Sequence, residues 1–378
     1  MGAGTAQRGA CLLISGKVRK NMEFVVFAGV LLLLFIFMIV QELIQTKNQE
    51  KLFKKYLREN YGKEPPKEYS LERFARLGSY LERHKEEKQL DDITWNDLGM
   101  DEVFRRIDRT YSAAGEEYLY YTLRNISCGR EALEHLEEVV NWLQEQENIK
   151  VRIQLLMKRL GHLGKYSLYD YLDNLDYLGE RSNRKIVLGN LLYLPFLLLL
   201  FVQPAMGTIG IVLCMLWHIM TYFREKKVIE PYIISFAYVL RLIDVCEELE
   251  KQKIPVYRRE LDELREVLKS LRELRRGAYW VMAGNQGKIG GNPLDILADY
   301  LRMILHLDIF QFNRMLEKLR KKTGQVETML AITGYLDMAI SVGGFRKSLE
   351  GYCIPKLEED TEKAFLHMKK GWHPLLSQ

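Results

Sequence analysis

The sequence predicts an all-α chain held at a membrane, and three observations carry that prediction. Phe24 to Val40 is an apolar tract of seventeen residues without a charge. Ile186 to Phe223 is a longer apolar tract with basic residues at both ends and Pro204 and Gly207 near its middle. The remaining stretches are charged, carry leucines and aromatics at helical spacing, and nowhere show the period-two alternation of a strand.

At roughly 1.5 Å per residue the first tract nearly crosses a hydrocarbon core of about 30 Å. Backbone groups inside lipid have to be satisfied within their own segment, so the tract is expected to be a helix. Residues 22–45 are therefore read as a transmembrane anchor. Ahead of it, residues 1–21 hold Arg8, Lys17, Arg19 and Lys20 and no acid. This basic leader opposes an orientation that puts the following residues, with Lys47, Lys51, Lys54, Lys55 and Arg58, in the cytoplasm. A start at Met22 removes the conflict, so residues 1–21 are expected to be an over-extended start. No small-x-small site follows the apolar run, which argues against a cleaved signal peptide.

The second tract is too long for one span. Pro204 and Gly207 divide it into Ile186–Gln203 and about Met206–Phe223, a transmembrane helical hairpin over 186–223. Arg181, Arg184 and Lys185 precede it, Arg224, Lys226 and Lys227 follow it, and its tip has no charge. By the positive-inside rule both flanks are cytoplasmic and the tip is outside. The expected localisation is the cell membrane, multi-pass, with the soluble part in the cytoplasm. His218 has no acidic partner in either span, so an interfacial or helix-contact role is expected for it.

The soluble stretches read as helices. Glu72–Lys88, within a helical linker over 46–90, follows a break at Pro65 and Pro66. Met100–Arg124 puts Val103, Phe104, Ile107, Tyr111, Leu119 and Leu123 on one apolar face, and Glu131–Leu160 continues the pattern. In Tyr257–Arg276, Leu261, Leu264, Leu268 and Leu271 form a narrow coiled-coil-like seam that could pack within the chain or form a dimer. Asp308–Lys322 is a further helix with a basic end, and Glu327–Val342 is expected to stop at Gly343 and Gly344.

Composition narrows the function classes. The net charge is +5, of which residues 1–21 supply +4, so the rest of the chain is close to neutral at +1. Bulk charge therefore gives no argument for a large nucleic-acid footprint. Cys11, Cys128, Cys214, Cys246 and Cys353 are scattered, which suits structural thiols in a reducing compartment. The sequence has no GxxxxGK[ST], HExxH, GxSxG or GxGxxG pattern. Its nearest phosphate-loop candidate, Gly284–Gly291, follows its lysine with isoleucine instead of a hydroxyl and reads as a turn. The seven histidines make no ligand spacing, and the paired acids Asp91-Asp92 and Glu116-Glu117 are expected to cap helices or solvate a face. Catalysis by this chain alone is not expected.

Two stretches carry a resemblance. In Asp91–Ile126, Asp108 and Thr110 form D-x-T, with Gly115, Leu119 and Leu123 at T-x-x-x-x-G-x-x-x-L-x-x-x-L spacing. Gly115 would allow close helix packing, and Leu119 and Leu123 would lie one turn apart. Further on, Leu336, Asp337, Ala339 and Ser341 precede Tyr352, Pro355 and the pair His373-Pro374. In order and type these stretches resemble the core and lever region of the MutS family of DNA mismatch repair proteins, in particular its membrane-anchored bacterial members. The resemblance implies MutS-core-like helices over 91–185, a core and lever part over 224–370, and a lead-in over 371–378 to an ATPase domain that this chain lacks. It also implies an ATPase-bearing partner or a homodimer, membrane lipid around the spans, and ATP and magnesium in the missing domain only, with no cofactor in this chain. Any DNA contact would fall on Lys318, Arg320, Lys321 and Lys322, although a solvated helix end is the simpler role of that cluster. The mismatch-reading and connector domains of the family have no counterpart here. The expected function is a non-catalytic coupler between an ATPase domain and DNA, with a dimerising membrane scaffold as the alternative.

Overall fold

The computed structural model describes residues 36–63, 69–86, 88–126, 129–164, 167–275, 300–356, 366–371, 373 and 375. The leader over 1–21, most of the first apolar tract, Cys11, Cys128, Gly284–Gly291 and Pro374 lie outside those residues. The chain forms two compact units, Met1–Asn60 and Tyr61–Gln378. In the first, residues 36–60 form helix α1. Among the described residues every regular element is helical, and a single isolated bridge pairs Gln89 with Asn125.

The second unit begins with α2 (Leu71–Arg83), capped by the Ser70 hydroxyl, and α3 (Asp92–Asp97), capped by the Asp91 carboxylate at 2.7 Å from the Thr94 N–H. The helix expected over Met100–Arg124 is instead two, α4 (Met100–Ile107) and α5 (Ala113–Arg124). Local side-chain chemistry makes the break. Asp108 accepts from Thr110 just after α4, and the Ser112 hydroxyl accepts from the Gly115 N–H to begin α5. Glu131–Leu160 likewise divides at Gln146 into α6 (Arg130–Glu145) and α7 (Glu147–Leu160). A Ser167–Asp170 capping box starts the short α8 (Leu168–Asp173).

The hairpin consists of α9 (Arg184–Leu191), α10 (Tyr193–Val202) and α11 (Pro204–Glu250). Pro195 has no N–H to offer the Leu191 carbonyl, and the first arm breaks at Leu192. Pro204 opens the second arm at a position where its missing N–H costs nothing. That arm does not end near Phe223. It runs on for 47 residues in all, roughly 70 Å, and its distal half enters the core through Phe236, Leu240, Ile243, Val245 and Leu249.

The coiled-coil-like seam closes within the chain. Leu261, Leu264, Leu268 and Leu271 of α12 (Arg258–Leu271) are buried against α11 and the last helix. Helix α13 (Leu307–Arg320) follows His306, and α14 (Thr323–Ser348) is the central helix, packed by α5, α6, α7, α11 and α12. The stop expected at Gly343-Gly344 does not occur, because these glycines serve close packing. A Cβ at Gly343 would stand 2.7 Å from the Tyr61 hydroxyl, and one at Gly344 would stand 2.9 Å from Arg109 Cδ.

Among the described residues, three helical segments are long and apolar enough to cross a membrane: Arg184–Val202, Pro204–Glu230 and Thr323–Ser348. Burial separates them. The most apolar window of α14 is 72% buried inside the protein, so its composition is that of a core helix, whereas the two hairpin windows are only 6% and 28% buried. Phe201, Val202, Leu198 and Met220 point their apolar side chains outward.

Candidate functional site, a buried polar joint

The two motif stretches, more than two hundred residues apart in sequence, meet where α14 crosses the α4–α5 connection. Asp337, buried in the middle of α14, supplies the contact. Its Oδ2 accepts the Ser112 N–H at 2.8 Å, the Ser112 hydroxyl at 2.6 Å and the Tyr111 N–H at 3.0 Å. These donors sit at the start of α5, where backbone N–H groups have no intrahelical partner and the helix dipole favours a carboxylate. One turn further along α14, Ser341 accepts the Arg109 N–H and donates to the Ile107 carbonyl, both at 2.8 Å. Asp337 and Ser341 together satisfy backbone groups on both sides of the break.

Asp108 holds the connection itself. Its Oδ1 accepts from the Thr110 N–H at 2.9 Å and the Thr110 hydroxyl at 2.6 Å, while Oδ2 accepts from the Tyr69 hydroxyl and lies 3.8 Å from Arg73. Two glycines let the helices close. A Cβ at Gly115 would stand 2.4 Å from Asp337 Oδ2, and one at Gly334 would stand 2.6 Å from the Ala114 carbonyl oxygen.

The acidic pair on α5 is buried, contrary to the expectation of a capping or solvated role. Glu116 accepts from Arg73 and from Arg76 at 3.1 Å, and its Oε2 lies 3.2 Å from His162 Nε2. Glu117 has the Ser167 hydroxyl at 3.0 Å, and burial pushes its carboxyl up to about 8. Asp91 does cap a helix, and Asp92 pairs with Arg124.

The structure brings together part of the residues singled out from sequence. Asp108, Thr110, Gly115 and Asp337 form the joint, and Leu119 and Leu336 are buried beside it, with Leu123 half-buried. Tyr352, Pro355 and His373 are exposed, away from regular structure, and Pro374 is outside the described residues. The basic cluster is not a free patch. Arg320 donates to the Leu175 and Gly179 carbonyls and Lys322 donates to the Ser270 carbonyl, so two of its four cations hold the fold together. Lys321 is exposed, 3.8 Å from Glu317.

Sequence reasoning missed Ser112, whose position at an N-cap five residues before Glu117 was readable only once the helix break was known. It also missed that His218 faces His306, with the two Nδ1 atoms 3.3 Å apart. Chemically, the joint is a set of matched donors and acceptors and contains no nucleophile–base pair. Among the described residues no group of three potential ligands could hold a metal ion. Compared with protein-family models, curated proteins and solved structures, the chain matches none.

Proposed function

We propose that this chain is a membrane-tethered, MutS-like core and lever module, non-catalytic by itself, that couples an ATPase domain outside this sequence to DNA. The observation that carries the reading is the joint. Asp337 of the second stretch accepts buried hydrogen bonds from Tyr111 and Ser112, which lie between the first stretch's Asp108-x-Thr110 and its Gly115, and Gly115 leaves the space that the Asp337 carboxylate fills. Helix α11 supports the lever role, because one uninterrupted helix joins the hairpin to the core that α14 organises. In this reading the hairpin spans the cell membrane with its tip outside, and the soluble helices are cytoplasmic.

A specific observation favours the second reading, a membrane scaffold that binds no nucleic acid. Arg320 and Lys322, half of the cluster that would meet DNA, are engaged within the chain. That scaffold would not dimerise through the α12 seam, whose leucines are buried.

The test is ATP hydrolysis by the purified chain in detergent, together with binding to matched and mismatched duplexes at two salt concentrations. The coupler reading expects no turnover and weak, salt-sensitive DNA binding without mismatch preference, because few phosphates could be neutralised. Turnover that survives purification, or a clear mismatch preference, contradicts it. No DNA binding at either salt concentration favours the scaffold.

A further inference from the structure

At the basic end of the hairpin, α9, α11 and α13 enclose a cleft of about 400 Å³, within the roughly 300–1,000 Å³ usual for small-molecule sites. Its floor is imidazole. His218 and His306 are 1% and 5% exposed, and their Nδ1 atoms face each other. His218 Nε2 is buried with no hydrogen-bond partner among the described residues, an uncompensated polar group that a bound ligand would satisfy. His306 is held in the left-handed region at φ 54°, where a non-glycine residue is strained, and this conformation opens α13 with its ring against the cleft.

The rim is cationic. Arg181 is engaged by Glu225 and Asn313, but Lys185 and Arg224 are exposed and have no ion-pair partner among the described residues. Three cations face two carboxylates, Glu180 and Glu225. Trp217 lines this cleft and also a second one of about 450 Å³, an apolar groove between α10 and α11 lined by Leu192, Phe196, Leu199, Ile209 and Leu213. A polar pocket with a basic rim and an apolar groove therefore adjoin at Trp217.

We infer that this pair of clefts holds one phospholipid, its phosphate-bearing headgroup on Lys185 and Arg224 over His218, and an acyl chain in the groove. The inference rests on reading the hairpin as membrane-embedded. On that reading His218 lies about 9 Å along the helix from Arg224, at headgroup depth, where basic pockets between spanning helices recognise anionic lipid. A soluble phosphate would share the headgroup chemistry but has no use for the groove.

The experiment exchanges the full chain into lipid-free detergent and offers it phosphatidylglycerol, phosphatidylcholine or inorganic phosphate, with retention read by native mass spectrometry. Phosphatidylglycerol should be held about tenfold better than phosphatidylcholine. Lys185→Ala with Arg224→Ala should abolish the preference, while Lys227→Ala, outside the cleft, should keep it. Exposed residues are chosen so that the variants fold, and His218→Phe should weaken retention as a second probe of the floor. Equal retention of both lipids, a preference that survives the double substitution, or displacement of lipid by inorganic phosphate overturns the inference. Labelling of Ala205→Cys at the hairpin tip by a membrane-impermeant thiol reagent added outside intact cells separates the two failures: no labelling defeats the membrane reading of the hairpin, whereas a labelled chain without headgroup preference defeats the lipid site alone.

Discussion

Asp337 Oδ2 occupies the place where a side chain on residue 115 would begin, so Gly115 and Asp337 each define what the other can be. A Cβ there would stand 2.4 Å from Oδ2 and 2.6 Å from Asp337 Cβ. Any larger residue would displace the carboxylate from the Ser112 and Tyr111 N–H groups that it satisfies.

Gly115→Ala is therefore expected to destabilise the chain by about 3 kcal/mol, the combined effect of overpacking and strained buried hydrogen bonds. Gly78→Ala is the contrast. It lies inside α2 with nothing within 4 Å of the added methyl, and should stabilise by up to about 1 kcal/mol through helix propensity. Chemical denaturation in detergent measures both. Equal effects would show that the helices do not meet as described.

Glu117 links stability to pH. An unperturbed glutamate titrates at 4.5, and burial holds this one up to about 8 in the folded chain. Below the lower value both states carry the proton, and between the two only the folded state does, so stability falls as pH rises through that window. Glu117→Gln stays neutral throughout. Its melting temperature should exceed that of the wild type above about pH 8, with a flatter pH profile between 5 and 8. A variant that is less stable at the alkaline end would contradict the assignment.

Arg320 and Lys321 are neighbours with different roles. Arg320 Nη2 donates to two carbonyls, Leu175 at 2.6 Å and Gly179 at 3.0 Å, and its replacement by alanine should cost about 1–2 kcal/mol. Lys321→Ala should change stability by less than about 0.5 kcal/mol. If Arg320→Ala leaves the melting temperature unchanged, the basic cluster is free after all.

The sequence made legible whatever depends on periodicity. Helices α2, α12 and α13 lie where leucines and aromatics recur at helical spacing, and the hairpin turns at Pro204 as its tip composition requires. What stayed hidden depends on contacts between distant residues. Asp108, Thr110 and Ser112 break an amphipathic pattern that continues smoothly across them, because their short polar side chains outcompete the helix for nearby N–H groups. Gly343 and Gly344 read as a stop, yet they sit inside α14 where Tyr61 and Arg109 press closest. At the joint, motif order picked out Asp108 and Asp337 as separate positions. It could not show that the carboxylate of one helix caps the start of another. His218 looked solitary because its partner His306 lies 88 residues away.

The most direct measurement is a double-mutant cycle between Ser112 and Asp337, 225 residues apart in sequence and joined at 2.6 Å. Ser112→Ala, Asp337→Ala and the double variant would be unfolded by denaturant in detergent alongside the wild type. A buried hydroxyl donating to a carboxylate should give a coupling energy of about 1–2 kcal/mol, with the double variant less destabilised than the sum of the single ones. Additivity within about 0.5 kcal/mol would mean that the two motif stretches act independently, which would contradict the joint and the core-and-lever reading built on it.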